Sequence, residues 1–278
     1  MYIKSPLNYV GGKYKLLSQI LPLFPKEIDT FYDLFGGGFN VGINVDAKKH
    51  VYNDILKPVV ELLWALKKED RERVLMFIDD YIDQYNLSKT NKEGYLALRE
   101  RYNETKRSPF MFYTLVAHSF NNQIRFNKKG EFNMPFGMNR SSFNPTLRKR
   151  FVEFVDKLHT LDVEFYSKDF REFNTHDFKT NDFIYIDTPY LGTVATYNEN
   201  GGWTEKDERD VHEFLDRLNG KGIKFALSNV FESKGQSNDI LKDWAKQYNV
   251  HYLDISYGNC NHQRKSKAPD VEVLVTNY

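Results

Sequence analysis

Cysteine is almost absent from this sequence. Cys260 stands alone, which excludes an intramolecular disulfide and a cysteine-cluster metal site and fits a reducing compartment. An excess of charge of either sign is missing too: 39 Lys+Arg stand against 38 Asp+Glu, a formal net charge of +1. That balance argues against a histone-like or wholly basic binder and leaves room for a local basic patch. No apolar run reaches the ~18 residues of a membrane span, and the start Met1-Tyr2-Ile3-Lys4-Ser5-Pro6 lacks the apolar stretch of a signal peptide, so a cytoplasmic protein is expected. Proline is sparse, 9 in 278 residues, and neither internal repeats nor low-complexity stretches occur. What is present, 41% hydrophobic and 28% charged residues, excludes disordered, collagen-like and coiled-coil chains and describes a soluble globular protein of one large domain or two small ones. A chain near this size buries ~75% of its unfolded surface, ample for a core.

The pattern along the chain predicts a helix from Tyr14 to Leu23 and a buried strand at Thr30-Phe31-Tyr32-Asp33-Leu34-Phe35 running into Gly36-Gly37-Gly38. A short helical stretch and a second strand, His50-Val51-Tyr52-Asn53-Asp54, follow; this is the opening of a βαβ unit and hence of a parallel sheet. Helical patterns then predominate (Pro58 to Tyr85, Lys92 to Tyr102, Met111 to Phe120), with Phe110, Phe112 and Tyr113 read as core. Gln123-Ile124-Arg125-Phe126 and Glu131-Phe132-Asn133-Met134 flank the turn-prone Asn127-Lys128-Lys129-Gly130, which predicts a β-hairpin. Asn144-Pro145 caps another helix. Alternation resumes with strands at Val163 to Tyr166, Phe183 to Asp187 and Ile223 to Ser228, a helix capped by Thr204 and ended by Gly220, a helix from Ser237 to Tyr248, and closing strands at Val250 to Tyr257 and Val271 to Asn277. The architecture expected is an α/β sheet domain built from both chain ends, 1–56 and 160–278, with a helical and hairpin insertion at 57–159.

Two segments carry chemistry. A strand ending in glycines at Asp33-Leu34-Phe35-Gly36-Gly37-Gly38 lets a ligand approach the backbone where a Cβ would collide, and Asp54 at the end of the next strand can accept both hydroxyls of a ribose. A tight turn with a surface acid is the plainer alternative. Ile184-Tyr185-Ile186-Asp187-Thr188-Pro189-Tyr190 is more specific, because an apolar strand delivers a carboxylate, a backbone carbonyl before a proline and an aromatic ring to one point at the sheet's carboxyl edge, where ligands bind in open α/β folds. Such a set suits an exocyclic amine on a flat ring: the carboxylate and the carbonyl each accept one N–H, and the ring stacks. Arg148-Lys149-Arg150 and His262-Gln263-Arg264-Lys265-Ser266-Lys267 read either as phosphate contacts or as solvated charge.

In these residues the chain resembles the Dam-type DNA adenine-N6 methyltransferases, whose signature is Asp-Pro-Pro-Tyr. Four segments match in order: Leu7-Asn8-Tyr9-Val10-Gly11-Gly12-Lys13-Tyr14, Phe35-Gly36-Gly37-Gly38, the stretch 120–137 with its hairpin, and Asp187-Thr188-Pro189-Tyr190. Thr188 replaces the signature's first proline, and Asn8 and Tyr9 stand where better-known members carry Lys and Trp. The resemblance implies a Rossmann-like, S-adenosylmethionine-dependent methyltransferase sheet with the insertion as DNA-recognition domain, and double-stranded DNA as partner. It further implies Tyr9, Lys13, Phe35, Gly36, Gly38, Asp54, Asp169, Phe170 and Asp187 at the cofactor, with Lys13 on its carboxylate, Asp54 on its ribose, and Asp169 and Phe170 on its adenine. Asp187, Thr188, Pro189 and Tyr190 would act on the target amine of a flipped-out base, and Asn8, Asn121, Arg125 and Pro135 would lie against DNA, Arg125 reading a guanine. No metal is expected, and a separately acting restriction endonuclease is compatible with such an enzyme. Alternatives that stay open at this point are transfer to an RNA adenine or a protein glutamine amide, a nucleotide-binding oxidoreductase suggested by the glycine turn, and a non-catalytic DNA-binding relative kept open by Thr188.

Overall fold

A computed structural model describes residues 1–9, 11–105, 108–191, 202–233, 235–254 and 270–278. Cys260, the basic stretch 262–267 and the end of the strand expected to reach Tyr257 lie outside these residues. Short apolar segments build the centre of the sheet. Strand β1 (Thr30–Asp33) pairs in parallel with β2 (Lys49–Asn53) on one side and β4 (Phe183–Asp187) on the other. Beyond β2 lies β3 (Val163–Tyr166), and beyond β4 lies β5 (Lys224–Ser233), both parallel to their neighbours. The far side is antiparallel: β8 (Val271–Thr276) inserts between β5 and β7 (Asn249–Leu253), and the two-residue β6 (Gln236–Ser237) folds back on the end of β5. The order β3-β2-β1-β4-β5-β8-β7 reverses direction between β1 and β4, which opens a crevice outside the carboxyl ends of those two strands.

The helices arise from caps and apolar faces read largely as expected. Asn144 accepts from the Leu147 N–H and starts α6 (Pro145–Thr160), and Thr204 forms a capping box with Asp207 at the start of α7 (Glu205–Asn219). Several expectations need correction. The segment Lys13–Leu23 is α-helical only at α1 (Leu17–Ile20), between two 3-10 turns, because Pro22 lacks the N–H that would continue it. Between Gly38 and His50 there is a single 3-10 turn, Gly42–Asn44; the Asn44 side chain bonds both backbone groups of Ile3 and draws the amino-terminal segment across this crossover. Pro58 to Tyr85 is two helices, α2 (Lys57–Lys68) and α3 (Arg71–Gln84), separated at the Asp70 cap. Gly220 stays right-handed, and the left-handed glycine after α7 is Gly222 at φ +69°. The helix expected from Ser237 to Tyr248 is α-helical only over α8 (Asp239–Trp244) and ends in a 3-10 turn, Ala245–Gln247.

The segment between β2 and β3 holds α2, α3, α4 (Lys92–Glu104), α5 (Pro109–His118) and α6. Helix α5 is buried on every side, as Phe110, Phe112 and Tyr113 had suggested, so it forms the middle of this layer. Its core runs on without a break into Leu7, Phe39, Ile43 and Tyr52 of the sheet region, so the insertion packs on one face of the sheet through a common interior. Its hairpin follows the expected path without a regular ladder, showing isolated bridges at Phe126–Phe132 and Ser119–Phe136. The pair Phe126–Phe132 is of the non-hydrogen-bonded kind, flanked by the Asn127 N–H on the Glu131 carbonyl at 2.9 Å and the Asn133 N–H on the Arg125 carbonyl at 3.0 Å; the backbone groups of Phe132 that face away from the partner strand are taken by the Asn103 side chain, and Phe126 and Phe132 turn inward onto Phe112. The turn itself closes as expected, with Gly130 at φ +72° and Asn127 Oδ1 accepting from Lys129 and Glu131.

Candidate active site

Strand β4 ends at Asp187 on the crevice, and the amino-terminal segment brings Lys13 to it. The Lys13 ammonium, 3% exposed, donates to Asp187 Oδ1 at 2.7 Å, to the Tyr190 hydroxyl at 2.6 Å and to the Gly11 carbonyl at 3.0 Å. Tyr190 in turn donates to Glu272 of β8 at 3.0 Å, and Lys13 lies 3.9 Å from the same carboxylate. Burial opposes the charge of Lys13, but Asp187 and Glu272 outweigh it and hold its pKa above the ordinary lysine value. Burial pushes Asp187 and Glu272 upward, with Lys13 pulling each back. Asp33, at the end of β1, is raised further by burial and by the field of Asp187, and its Oδ1 has no hydrogen-bond partner among the described residues. Glu272 and Asp33 escaped the sequence reading; the signal was an acid inside the apolar run Val271-Glu272-Val273-Leu274-Val275.

The glycine loop is tied from three sides. Asp54 Oδ2 accepts from the Gly37 N–H at 2.9 Å and Oδ1 from the Leu56 N–H at 2.8 Å, two bonds that partly offset the rise burial imposes on its pKa. The Tyr52 hydroxyl donates to the Gly37 carbonyl at 2.7 Å. Buried Asn53 donates to the Leu34 and Lys168 carbonyls and accepts from the Lys168 N–H, so it stitches the ends of β1, β2 and β3 together. A Cβ at Gly36 would lie 2.3 Å from the Tyr52 ring, so its glycine makes room for that tyrosine. Gly37, at φ +48° and facing Tyr9, is the position of the loop with left-handed backbone; a Cβ at Gly38 would sit 3.3 Å from the Ser5 hydroxyl.

Phe35, Phe170 and Trp203 gather beside this loop: Phe35 is tilted on Phe170 at 5.6 Å and edge-on to Trp203 at 5.8 Å. Trp203 was not anticipated. Asp169 caps the turn Phe170–Glu172 and is paired with Arg171 at 3.1 Å. Thr188 is buried, and its hydroxyl accepts from Asn229 Nδ2 at 3.2 Å, so a proline at this position would orphan one Asn229 N–H.

On the insertion side, Asn8 donates to the Asn121 carbonyl at 2.7 Å, joining the amino-terminal segment to the 3-10 turn Phe120–Asn122. Asn121 has φ +55° and accepts from Arg140, which also lies over the ring of Phe120. The exposed Pro135 accepts the Phe120 N–H through its carbonyl at 2.7 Å. Arg125 is gripped by Asn133 through Nε at 2.8 Å and one Nη2 hydrogen at 2.9 Å, which leaves the outer edge of its fork available. Of the basic run on α6, Arg148 pairs with Asp79 and Lys149 with Glu153, which favours structural and solvated charge there.

Strand order, the reversal between β1 and β4 and the carboxylate that ends β4 define a Rossmann-like methyltransferase sheet. A family model described as D12 class N6 adenine-specific DNA methyltransferase matches residues 9–258, and the chain belongs to that family. The chain is 50% identical over 281 residues to Type II methyltransferase M.FokI of Planomicrobium okeanokoites and 49% identical over 283 residues to modification methylase StsI of Streptococcus sanguinis. Each alignment covers all of this chain and 43% of the relative, so the chain spans less than half the length of those proteins. With the DNA adenine methylase of Escherichia coli (strain K12) it shares 23% identity over 256 residues, 90% of this chain and 86% of that one.

Proposed function

We propose that the chain transfers a methyl group from S-adenosylmethionine to N6 of an adenine flipped out of double-stranded DNA. The observation that carries this reading is the meeting of Asp187, Thr188 and Tyr190 with the glycine loop at one crevice of the sheet. The residues fit such a donor. Asp54 keeps a lone pair on each oxygen for ribose hydroxyls while its backbone bonds hold the loop. Phe35, Phe170 and Trp203 offer an aromatic wall to an adenine, Asp169 an acceptor for its amine, and Asp33 Oδ1 a buried acceptor without a donor among the described residues. Tyr9 would pack along the cofactor beside Gly36 and Gly38. Lys13 would reach its carboxylate by exchanging the Gly11 carbonyl, the backbone group among its three hydrogen-bond partners. When bound, the cofactor supplies an electrophilic methyl on a sulfonium.

The chain's own residues then orient the amine. Asp187 Oδ1 is held by Lys13, which leaves Oδ2 to accept one N6–H while the Thr188 carbonyl accepts the other. Two acceptors favour a tetrahedral nitrogen whose lone pair points away from the ring, so the gain comes from orientation and fixed charge. Tyr190, clamped through its hydroxyl by Lys13 and Glu272, presents its ring to the base in a set position, and Pro189 limits the loop beside it. The proton that N6 gives up passes to Asp187, whose burial raises its proton affinity. Residues 57–159 serve as the recognition domain on the catalytic region 1–56 and 160–278, with Asn8, Asn121, Arg125 and Pro135 against DNA. Asn133 braces the inner edge of the Arg125 fork and leaves the outer pair for guanine O6 and N7. The cytoplasm is the expected place of action, beside a separately acting restriction endonuclease. Sequencing modified bases in DNA from cells expressing the chain tests this: N6-methyladenine in one recurring context is expected, and unmodified DNA despite soluble protein overturns it.

A further inference from the structure

We infer that Glu208 is a positioning residue that ties the aromatic wall of the cofactor pocket to the signature loop, an inference that rests on the cofactor reading above. Glu208 lies in the first turn of α7 with 1% of its surface exposed, and the proposed reaction does not touch it. Its Oε2 accepts from the Trp203 indole N–H at 2.6 Å. Its Oε1 accepts from Asn238 Nδ2 at 2.9 Å and from Asn229 Nδ2 at 3.1 Å. Both asparagines are oriented by their own oxygens, which accept from the backbone N–H groups of Leu241 and Val230, so each must point its amide hydrogens at Glu208. Every hydrogen-bond partner of the carboxylate is therefore a donor. Asn229 also reaches the Thr188 hydroxyl, and Trp203 stands edge-on to Phe35 and 6.4 Å from Phe170.

A buried carboxylate costs free energy that an apolar side chain in the same place would not, and it is tolerated where its hydrogen bonds are complete. Here those bonds converge from three places in the chain, Trp203 before α7, Asn229 on β5 and Asn238 before α8, and Asn229 carries the network on to Thr188 after β4. A single anion thus sets the tilt of the indole against Phe35 and the height of the loop that carries the Thr188 carbonyl. Glutamine cannot replace it, because an amide turns one acceptor into a donor that faces donors.

The test is 19F NMR of protein containing 5-fluorotryptophan, together with steady-state kinetics. The three tryptophans, Trp64, Trp203 and Trp244, give separate signals, with exposed Trp64 on α2 as internal control. Glu208→Gln is expected to shift the Trp203 signal, leave that of Trp64 in place and raise KM for S-adenosylmethionine about tenfold, with a smaller loss in kcat. An unmoved Trp203 signal, or a shift with KM and kcat unchanged, overturns the inference. If Glu208→Gln folds poorly, Trp203→Phe removes the indole N–H from the other end and must raise the same KM; an unchanged KM there is equally fatal. A wild-type Trp203 signal indifferent to S-adenosylmethionine overturns the cofactor reading and this inference with it. That case differs from failure of Glu208 alone, in which the wild-type response remains.

Discussion

Replacing Lys13 by methionine keeps most of the side-chain volume and deletes the ammonium from the centre of the site. Three hydrogen bonds go with it, and Asp187 and Glu272 lose the cation that offsets their burial. Breaking a buried pair from one side costs about 3–5 kcal/mol. Asp187 keeps 19% of its side chain accessible, which places the effect near the lower bound, ~3 kcal/mol. The pH dependence gives the sharper check. Lys13 has a raised folded pKa, so its contribution is complete below the ordinary lysine value and absent only above the folded one; at neutral pH the wild type has all of it. Asp187 and Glu272 are carboxyls whose folded pKa already lies above the unfolded value, so each costs stability as pH rises through that interval. Without Lys13 both move higher, and the cost of ionising them grows. Urea unfolding of Lys13→Met against wild type should therefore show the larger deficit at about pH 8 and a clearly smaller one at about pH 5, where the carboxyls take up protons instead. A deficit equal at both values, or below about 1 kcal/mol at the higher, would refute the view that this ammonium neutralises the acid cluster.

Asp187→Ala should nearly abolish tritiated-methyl transfer to DNA and also lower the unfolding midpoint, because it leaves the buried Lys13 ammonium without its nearest carboxylate; normal turnover would contradict the role given to it. Thr188→Val and Thr188→Pro should each cost ~1–3 kcal/mol in denaturant unfolding by orphaning a buried Asn229 N–H, whereas Thr188→Ser should recover most of it. Asp54→Ala frees the Gly37 and Leu56 N–H groups and should weaken S-adenosylmethionine binding by ~1–3 kcal/mol in calorimetry, with unchanged affinity the disproof. Arg125→Ala should relax discrimination at one base pair at a cost of ~1–3 kcal/mol; a uniform loss on all DNA sequences with a shallower salt slope would make it a phosphate contact.

The sequence by itself determined the parts of this protein whose causes lie within a few residues. The glycine loop after β1, the acid that ends β4, the caps at Asn144 and Thr204 and the buried helix around Phe112 were all readable, because strand period, capping and turn chemistry are local. The order of the signature segments carried the family for the same reason. Tertiary structure decided the partners. That Lys13 meets Asp187 and Glu272 depends on which strands adjoin, and that Gly36 serves Tyr52 depends on the β1–β2 pairing. The hairpin shows both levels in one element: Asn127 and Gly130 dictate the turn, while Asn103, on a distant helix, takes the backbone groups of Phe132 that face away from the partner strand. Thr188 reads in the sequence as a lost proline, and the fold makes it a hydrogen-bond acceptor. A buried polar group must find a partner wherever the packed chain provides one, and spacing along the chain does not encode where that is.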